Sequence, residues 1–339
     1  MGPDCGTAVI GGVGLGFANV VRPGPVGVVA ASGTGSQQVM SLLDSAGVGV
    51  RHCLGVGGRD LSAAVGGRST RQALALLDAD PDVQQIVLVS KPPDPGVEAA
   101  IREVAAGLST PVQFALLGPG RPDLTAAARA AVEAAGGTWR TLPVWPAPAD
   151  GGTPPGRVRL RGAFAGGTLC DEAMIVAAEV VGPVASNIPL PGAVRLGPDL
   201  RTGVDGARPA HVMIDFGDDE LTRGRPHPMI DGSLRAAWLA RQAAEVAAGD
   251  GIVVLLDVVL GHAAHPDPAA ELAPAVVAAR ARARARGGAL AVVVSLCGTQ
   301  GDPQGLRRQA EALAAAGAAV HLSNAEATRA ALALLSAAG

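Results

Sequence analysis

One unit, an apolar strand followed by a glycine-containing turn and an amphipathic helix, recurs along this chain in two matching series. That repetition restricts the possible folds more than any single motif does. In the first series, residues 26–31 read as a short apolar strand running into Ser32, Gly33, Thr34 and Gly35. Val39, Met40, Leu43 and Ala46 then fall on one helical face. In the second series, residues 161–165 lead into Gly166, Gly167 and Thr168, followed by a helix through Glu172, Ile175 and Glu179. Each series continues with a strand and a glycine- or acid-rich turn (VRHCLGVGGRD, 50–60; HVMIDFGDDE, 211–220). A helix and a further strand follow (IVLVSKPPD, 86–94; IVVLLDVVLG, 252–261). The last units match best: residues 112–136 and 291–317 are each an apolar strand, a Gly/Pro/Asp turn and an Ala-rich helix ending at glycine.

Strands alternating with helices of this length build βαβ units, and hence a parallel sheet covered on both faces. Residues 143–156 hold five prolines and three glycines. Such a stretch sustains neither a helix nor a central strand, and it reads as a linker. The expected organisation is two three-layer α/β domains, 24–142 and 157–339, preceded by residues 1–23 as a remnant without a domain of its own.

Composition narrows the function classes. With 48% hydrophobic residues in 339, the chain can bury a large core. A net charge of -3 and 2% aromatic residues argue against nucleic acid, which needs a basic footprint and rings for stacking. The alternating Arg280, Arg282, Arg284 and Arg286 scatter around a helix and read as a solvated face. The apolar stretches near 8–21 and 252–260 are too short or too interrupted to span a bilayer, and no signal peptide is visible. The four cysteines (Cys5, Cys53, Cys170, Cys297) lie far apart and read as reduced thiols of a cytoplasmic protein. No cluster has metal-ligand spacing, so no metal is expected.

In open α/β sheets, ligands sit at the carboxyl ends of strands, where helix N-termini present N–H groups. Ser32, Gly33, Thr34 and Gly35 hold that place in the first domain, and Gly166, Gly167 and Thr168 hold it in the second. Each is a tight turn or an anion loop, and the repetition favours paired anion sites. Gly57, Gly58, Arg59 and Asp60 form a second glycine-rich strand end, where Arg59 can grip a carboxylate or phosphate and Asp60 can orient it. His52, inside an apolar strand pattern, reads as a hydrogen-bonded core histidine. Residues 223–231 place His227 between prolines, with Arg223, Arg225 and Asp231 around it, which suits an active-site loop. Asp257 reads as a buried or strand-end carboxylate able to orient a base, and His262 and His265 as solvated loop residues. Of the 27 basic residues only Lys91 is a lysine, and it stands at a strand end where a compact ammonium differs from a guanidinium.

At these residues the sequence resembles the FdrA-type proteins, relatives of succinyl-CoA synthetase. The matching runs are MGPDCGTA (1–8), GFANVV (16–21), ASGTG (31–35), GVGGRDL (55–61), VGG (65–67), VSKPP (89–93), GGTL (166–169), GRPHPMID (224–231) and LLDVV (255–259). The resemblance implies two tandem flavodoxin-like domains with parallel sheets. The first is similar to the ligase domain of the synthetase α chain, and the second to the C-terminal domain of its β chain. Two departures bear on cofactors. The chain starts at what would be the last segment of the CoA-binding domain. The loop that carries the synthetase's phosphorylated histidine reads Gly118, Pro119, Gly120, Arg121 here, without a histidine. Both argue against CoA and nucleotide, and no other cofactor is implied with certainty.

The resemblance implies oxamate carbamoyltransferase activity within a complex: oxalurate plus phosphate to oxamate plus carbamoyl phosphate. In that reaction phosphate or carbamoyl phosphate is a substrate beside a small carboxylate, and other subunits or further copies of the chain are partners. The anion loops would hold phosphate and carboxylate, Arg59, Lys91 and Arg225 would neutralise charge, and His227 with Asp231 would carry the proton. The alternatives are an acyl-CoA synthetase-like, nucleoside-diphosphate-forming ligase and a non-catalytic scaffold subunit.

Overall fold

The structure, a computed structural model, describes residues 6–148, 156–188 and 190–336. The chain divides into two units. The first comprises residues 1–142 with 260–264 and 297–303; the second comprises 143–259, 265–296 and 304–339.

The first unit is built on β1 (Thr7–Ile10), β2 (Val13–Gly16), β3 (Val26–Ala31), β4 (Val50–Gly55), β5 (Gln85–Ser90) and β6 (Val112–Leu116). They are ordered β2-β1-β4-β3-β5-β6. Its helices are α1 (Gly33–Ser45), α2 (Arg68–Asp78), α3 (Pro95–Ala106) and α4 (Leu124–Ala134). Strands β4, β3, β5 and β6 run parallel. Strands β3 and β5 are buried along their whole length, which is why they read as unbroken apolar runs rather than alternating ones. Val29 and Ala31 of β3 and Ile86 and Leu88 of β5 pack under Ala73, Leu74 and Leu77 of α2 and Ile101 of α3. Residues 6–16, expected as a leftover, join this sheet: β1 and β2 form a hairpin across Gly11 and Gly12, both with positive φ, and β1 pairs antiparallel with β4.

The second unit holds β7 (Val144–Trp145), β8 (Val158–Phe164), β9 (Ala185–Ser186), β10 (Val194–Arg195), β11 (Val212–Asp215), β12 (Gly251–Val259), β13 (Ala289–Cys297) and β14 (Ala318–His321). Its helices are α5 (Gly167–Val181), α6 (Asp219–Thr222), α7 (Ser233–Ala244), α8 (Pro268–Ala285), α9 (Leu306–Ala315) and α10 (Asn324–Ser336). The central order is β11-β8-β12-β13-β14, the 2-1-3-4-5 arrangement of a flavodoxin-like sheet. The fold class read from the repeat is therefore the one observed.

One local feature differs from the sequence reading. Part of the proline-rich 143–156 stretch is an edge strand, since β7 pairs antiparallel with β14. An edge needs only half of its backbone groups for the ladder, so flanking prolines are tolerated there. The rest of that stretch, 149–155, lies outside the described residues. Of the alternating arginines, Arg282, Arg284 and Arg286 are exposed, in keeping with a solvated face, and Arg280 is half-buried.

Candidate functional site

In the second unit, the strand-end turn is fixed from below by a buried ion pair. Strand β12 carries Asp257 into the core, where its carboxylate accepts from the Ala165 N–H (2.7 Å) and the Gly166 N–H (2.8 Å). Arg235, buried on α7, donates to the same carboxylate at 2.9 Å and to the Asp257 carbonyl at 2.6 Å. Burial pushes the Asp257 carboxyl up, and Arg235 and the two backbone N–H groups pull against it. Asp257 thus braces the turn rather than orienting a base. Gly166, the N-cap of α5, has no side chain and so makes no side-chain cap bond to the helix N-terminus.

His227 meets this turn. A Cβ on Gly217 would lie 2.9 Å from His227 Nε2, 3.1 Å from Asp215 Oδ1 and 2.6 Å from the Ala165 carbonyl. Glycine at 217 is therefore what lets the ring reach the ends of β8 and β11. His227 Nδ1 accepts from the Met229 N–H at 3.2 Å, so the neutral ring carries its proton on Nε2. Burial, with Arg235 adding to it, holds the His227 pKa below the ordinary histidine value. The lowered pKa favours the neutral ring, with its Nε2–H as a donor. Asp231 instead accepts from the Ser233 N–H at 2.9 Å at the start of α7, and hydrogen bonding to the Ser233 hydroxyl, then to its N–H, lowers its pKa. Arg225 and Asp231 line a separate cavity of about 300 Å³ with Phe216, Gly224 and Ser233. Asp215, whose backbone is paired on both sides by the Asn187 amide (2.9 and 3.0 Å), is the carboxylate beside the ring.

In the first unit, Ser32 is the N-cap of α1, its hydroxyl accepting from the Gly35 N–H at 3.0 Å. Gly33 and Thr34 form the first turn of α1, close to Thr7. The start of α1 is anchored through Gln37, which donates to Asn19 Oδ1 at 3.2 Å. Asn19 in turn donates to the Leu260 carbonyl (3.0 Å) and to Asp302 (2.8 Å). The Asp302 carboxylate also accepts the Val20 and Thr299 N–H groups, both at 2.7 Å.

The 57–60 loop separates its members. Arg59 is exposed, whereas Asp60 is buried and turned onto α2, accepting from the Ser69 N–H (3.0 Å), the Thr70 N–H (2.9 Å) and the Thr70 hydroxyl (2.6 Å). Asp60 is a helix cap, not a partner that orients Arg59. Gly58 lines a cavity of about 360 Å³ with Leu61, Ser62, Ser90, Lys91 and Asp94, while Gly57 adopts a positive φ just before it. Lys91, half-buried, and the glycine loop are thus brought together at the ends of β4 and β5. His52 donates from Nε2 to Asp80 at 2.8 Å and accepts from the Gly11 N–H at 3.0 Å. His265 accepts from the Asp267 N–H at the start of α8 (3.0 Å). Cys53, Cys170 and Cys297 are buried thiols; Cys5 lies outside the described residues.

The sequence reading missed Arg235, Gly217, Asp215 and the Asn19–Gln37–Asp302 group. An aspartate inside the apolar run 252–261 does signal a hidden cation, since a buried carboxylate demands a partner, but nothing local points to Arg235. No helix among the described residues is long and apolar enough to cross a membrane.

Glycine turns at strand ends, set against helix N-termini, are where doubly wound α/β proteins place their ligands. Residues 163–334 match the CoA-ligase family, and the chain belongs to that family. It is 37% identical over 334 residues to the uncharacterized protein YahF of Escherichia coli K12, which covers 94% of this chain and 63% of YahF. It is 26% identical over 115 residues to malate–CoA ligase subunit alpha of Methylorubrum extorquens AM1, covering 33% of this chain and 38% of that subunit. Among solved structures, it is similar to the dinucleotide-forming acetyl-coenzyme A synthetase 1 of Ca. Korarchaeum cryptofilum, at 16% identity and a TM-score of 0.29. That match covers 100% of this chain and 70% of the other. PH0766 of Pyrococcus horikoshii OT3 gives 14% identity and a TM-score of 0.28, over 98% and 69% of the two chains.

Proposed function

We propose that the protein handles an acyl group between a CoA thioester and phosphate, the acyl-CoA ligase branch of the sequence reading, on a small carboxylic acid. The observation that carries this reading is the Gly166–Gly167 turn, braced by Asp257 and met by His227, inside the segment that matches the CoA-ligase family. Neither the family match nor the relatives support carbamoyl transfer specifically, and the ligase alternative fits them better.

A phosphate oxygen attacks the thioester carbonyl carbon, a tetrahedral oxyanion forms, and the C–S bond breaks. The CoA thiolate leaves and takes a proton from solvent, and an acyl phosphate remains. The first turn of α5 and the Nε2–H of His227 donate to phosphate and oxyanion oxygens, and a neutral donor does so without holding the product as an ion pair. In the first unit, Lys91 supplies a point charge and Gly57 and Gly58 a close backbone approach for an anion bound there. Arg59 and Arg225 contribute to the approach of anions. Further subunits or a second copy of the chain complete the overall reaction.

Arsenate in place of phosphate tests this directly, because an acyl arsenate hydrolyses and the reaction is read as free thiol. The full chain is expected to release CoA from malyl-CoA or succinyl-CoA only when arsenate is present. Gly167→Val and His227→Gln should each lower that rate by about tenfold or more, the usual scale for losing an oxyanion donor being about 100-fold. No thiol release from short acyl-CoA esters, with arsenate-dependent breakdown of oxalurate instead, would replace this reading with carbamoyl transfer.

A further inference from the structure

The opposite end of the second unit's parallel strands carries a cavity that the proposed chemistry does not use. It lies at the N-terminal ends of β8 and β11 and has a volume of about 280 Å³. Arg157, Arg159, Arg161, Arg201 and Arg208 line it, together with Trp238. Among the described residues, one carboxylate, Glu245, shares the lining, and it is already paired with Arg201.

Arg159 and Arg161 alternate along β8, so their side chains share a face, and Arg157, just before the strand, lines the same cavity. The deepest, Arg161, is buried, and its hydrogen-bond partners are neutral: Gln242 Oε1 at 3.0 Å and the carbonyls of Leu160 (2.9 Å) and Ala210 (2.6 Å). Burial, and then its neighbour Arg159, pull its pKa down to about 10. Halfway up, Arg159 reaches Asp250 at 3.4 Å, while its Nε is buried without a partner. Trp238 is 2% exposed, and its Nε1 is likewise buried without a partner. Arg157 and Arg208 stand exposed at the rim.

Packing like charges along one strand costs energy unless an anion joins them, and a buried donor without an acceptor costs more. Both costs are relieved by the same kind of guest. The wall offers donors at three depths, with Leu200, Pro209 and Val212 supplying apolar surface beside them. Alternate strand residues stand roughly 6.6 Å apart, which suits two linked anionic groups better than one. Guanidinium forks match phosphoryl oxygens in pairs.

We propose that this cavity is a binding site for a small diphosphate-bearing ligand. The site lies across the sheet from the Gly166–Gly167 turn, so it stands or falls independently of the acyl-transfer reading.

Inorganic pyrophosphate is the probe, titrated calorimetrically into the full chain at about 0.15 M salt, where diffuse surface attraction is screened. Pyrophosphate is expected to bind at least about tenfold more tightly than orthophosphate, a difference of about 1.4 kcal/mol. The Arg157→Ala/Arg208→Ala double variant, which changes only exposed side chains, should weaken it about tenfold. Arg159→Gln should do the same, its folding being checked by far-UV circular dichroism. Arg282→Ala, an exposed arginine of α8, and His227→Gln should leave binding unchanged. The proposal fails if pyrophosphate binds no better than orthophosphate or matched chloride. It also fails if Arg282→Ala weakens binding equally, or if binding follows His227 and ignores the double variant.

Discussion

Replacing Asp257 by asparagine isolates what the buried brace contributes to the turn above it. The native carboxylate serves three donors at once: the Ala165 and Gly166 N–H groups and Arg235 Nη1. An asparagine amide has one accepting oxygen. It can keep one of the backbone bonds, but it turns an NH2 group toward the other donor and leaves Arg235, 3% exposed, without its anion. Breaking a buried ion pair by removing one partner costs about 3–5 kcal/mol, and an orphaned N–H adds about 1–3 kcal/mol. The two overlap in space, so a total of about 4–6 kcal/mol is expected. With a urea dependence of about 2 kcal/mol per M, the midpoint of the second unit's transition should fall by about 2–3 M. Far-UV circular dichroism and the fluorescence of Trp238, which packs edge-on against Phe216 at 6.0 Å, follow that transition. Because the penalty comes from an uncompensated charge, Asp257→Leu combined with Arg235→Met should be less destabilised than the sum of its single variants by at least about 2 kcal/mol. A midpoint shift under about 0.5 M for Asp257→Asn, or strict additivity in the pair, would refute the reasoning.

Three further outcomes follow from the geometry. Gly217→Ala places a methyl group 2.9 Å from His227 Nε2 and 2.6 Å from the Ala165 carbonyl, so the ring must move outward. Its pKa, followed by NMR titration, should rise toward the ordinary histidine value, and arsenate-dependent thiol release should drop with it. In the wild-type chain the His227 pKa is lowered, so the unfolded state takes up the proton first. The stability held by the neutral ring is complete above about pH 6.5 and declines below it, by at most about 1.4 kcal/mol per pH unit for this one group. His211 and His321 are also lowered by burial and act in the same sense. The informative quantity is therefore the difference between wild type and His227→Gln in urea midpoints from about pH 7.5 to 5, which should shrink as pH falls. Finally, Asp60→Asn should cost about 1–2 kcal/mol of stability through the α2 cap while leaving ligand binding intact, as measured by thermal unfolding and calorimetry on the same sample.

The layered fold was legible because it is carried by periodicity. The fully buried β3, β5 and β12 read as apolar runs, and the helices between them as amphipathic stretches ending at glycine. Strand-end position also located the glycine turns, since parallel strands must hand over to helices there. The pairing of side chains was not legible. His227 and Asp231 are four residues apart in a proline-stiffened loop and look like partners. Yet Asp231 is turned to the N-terminus of α7 and the ring to the end of β11, because each finds its hydrogen-bond partner in a different element. Asp60 beside Arg59 misleads in the same way: two N–H groups at the start of α2 and the Thr70 hydroxyl hold it in three short bonds.

The repeat also predicts two equivalent anion turns, and here local chemistry breaks the symmetry. In the first unit the N-cap is a serine whose hydroxyl takes the Gly35 N–H, so one of the helix's open donors is spent within the chain. In the second unit the N-cap is glycine, which has nothing to spend. The N–H groups that are used, those of Ala165 and Gly166, precede the helix and are drawn down toward Asp257, away from the first turn of α5. A buried carboxylate that pulls two amides inward fixes the turn without occupying the helix N-terminus. The same arrangement brings Arg235 beneath His227, where the guanidinium helps hold the ring neutral. Brace, glycine cap and neutral donor therefore meet around one buried ion pair. This is why the Asp257 variants, rather than those of the more conspicuous His227, probe the second unit's turn as a whole.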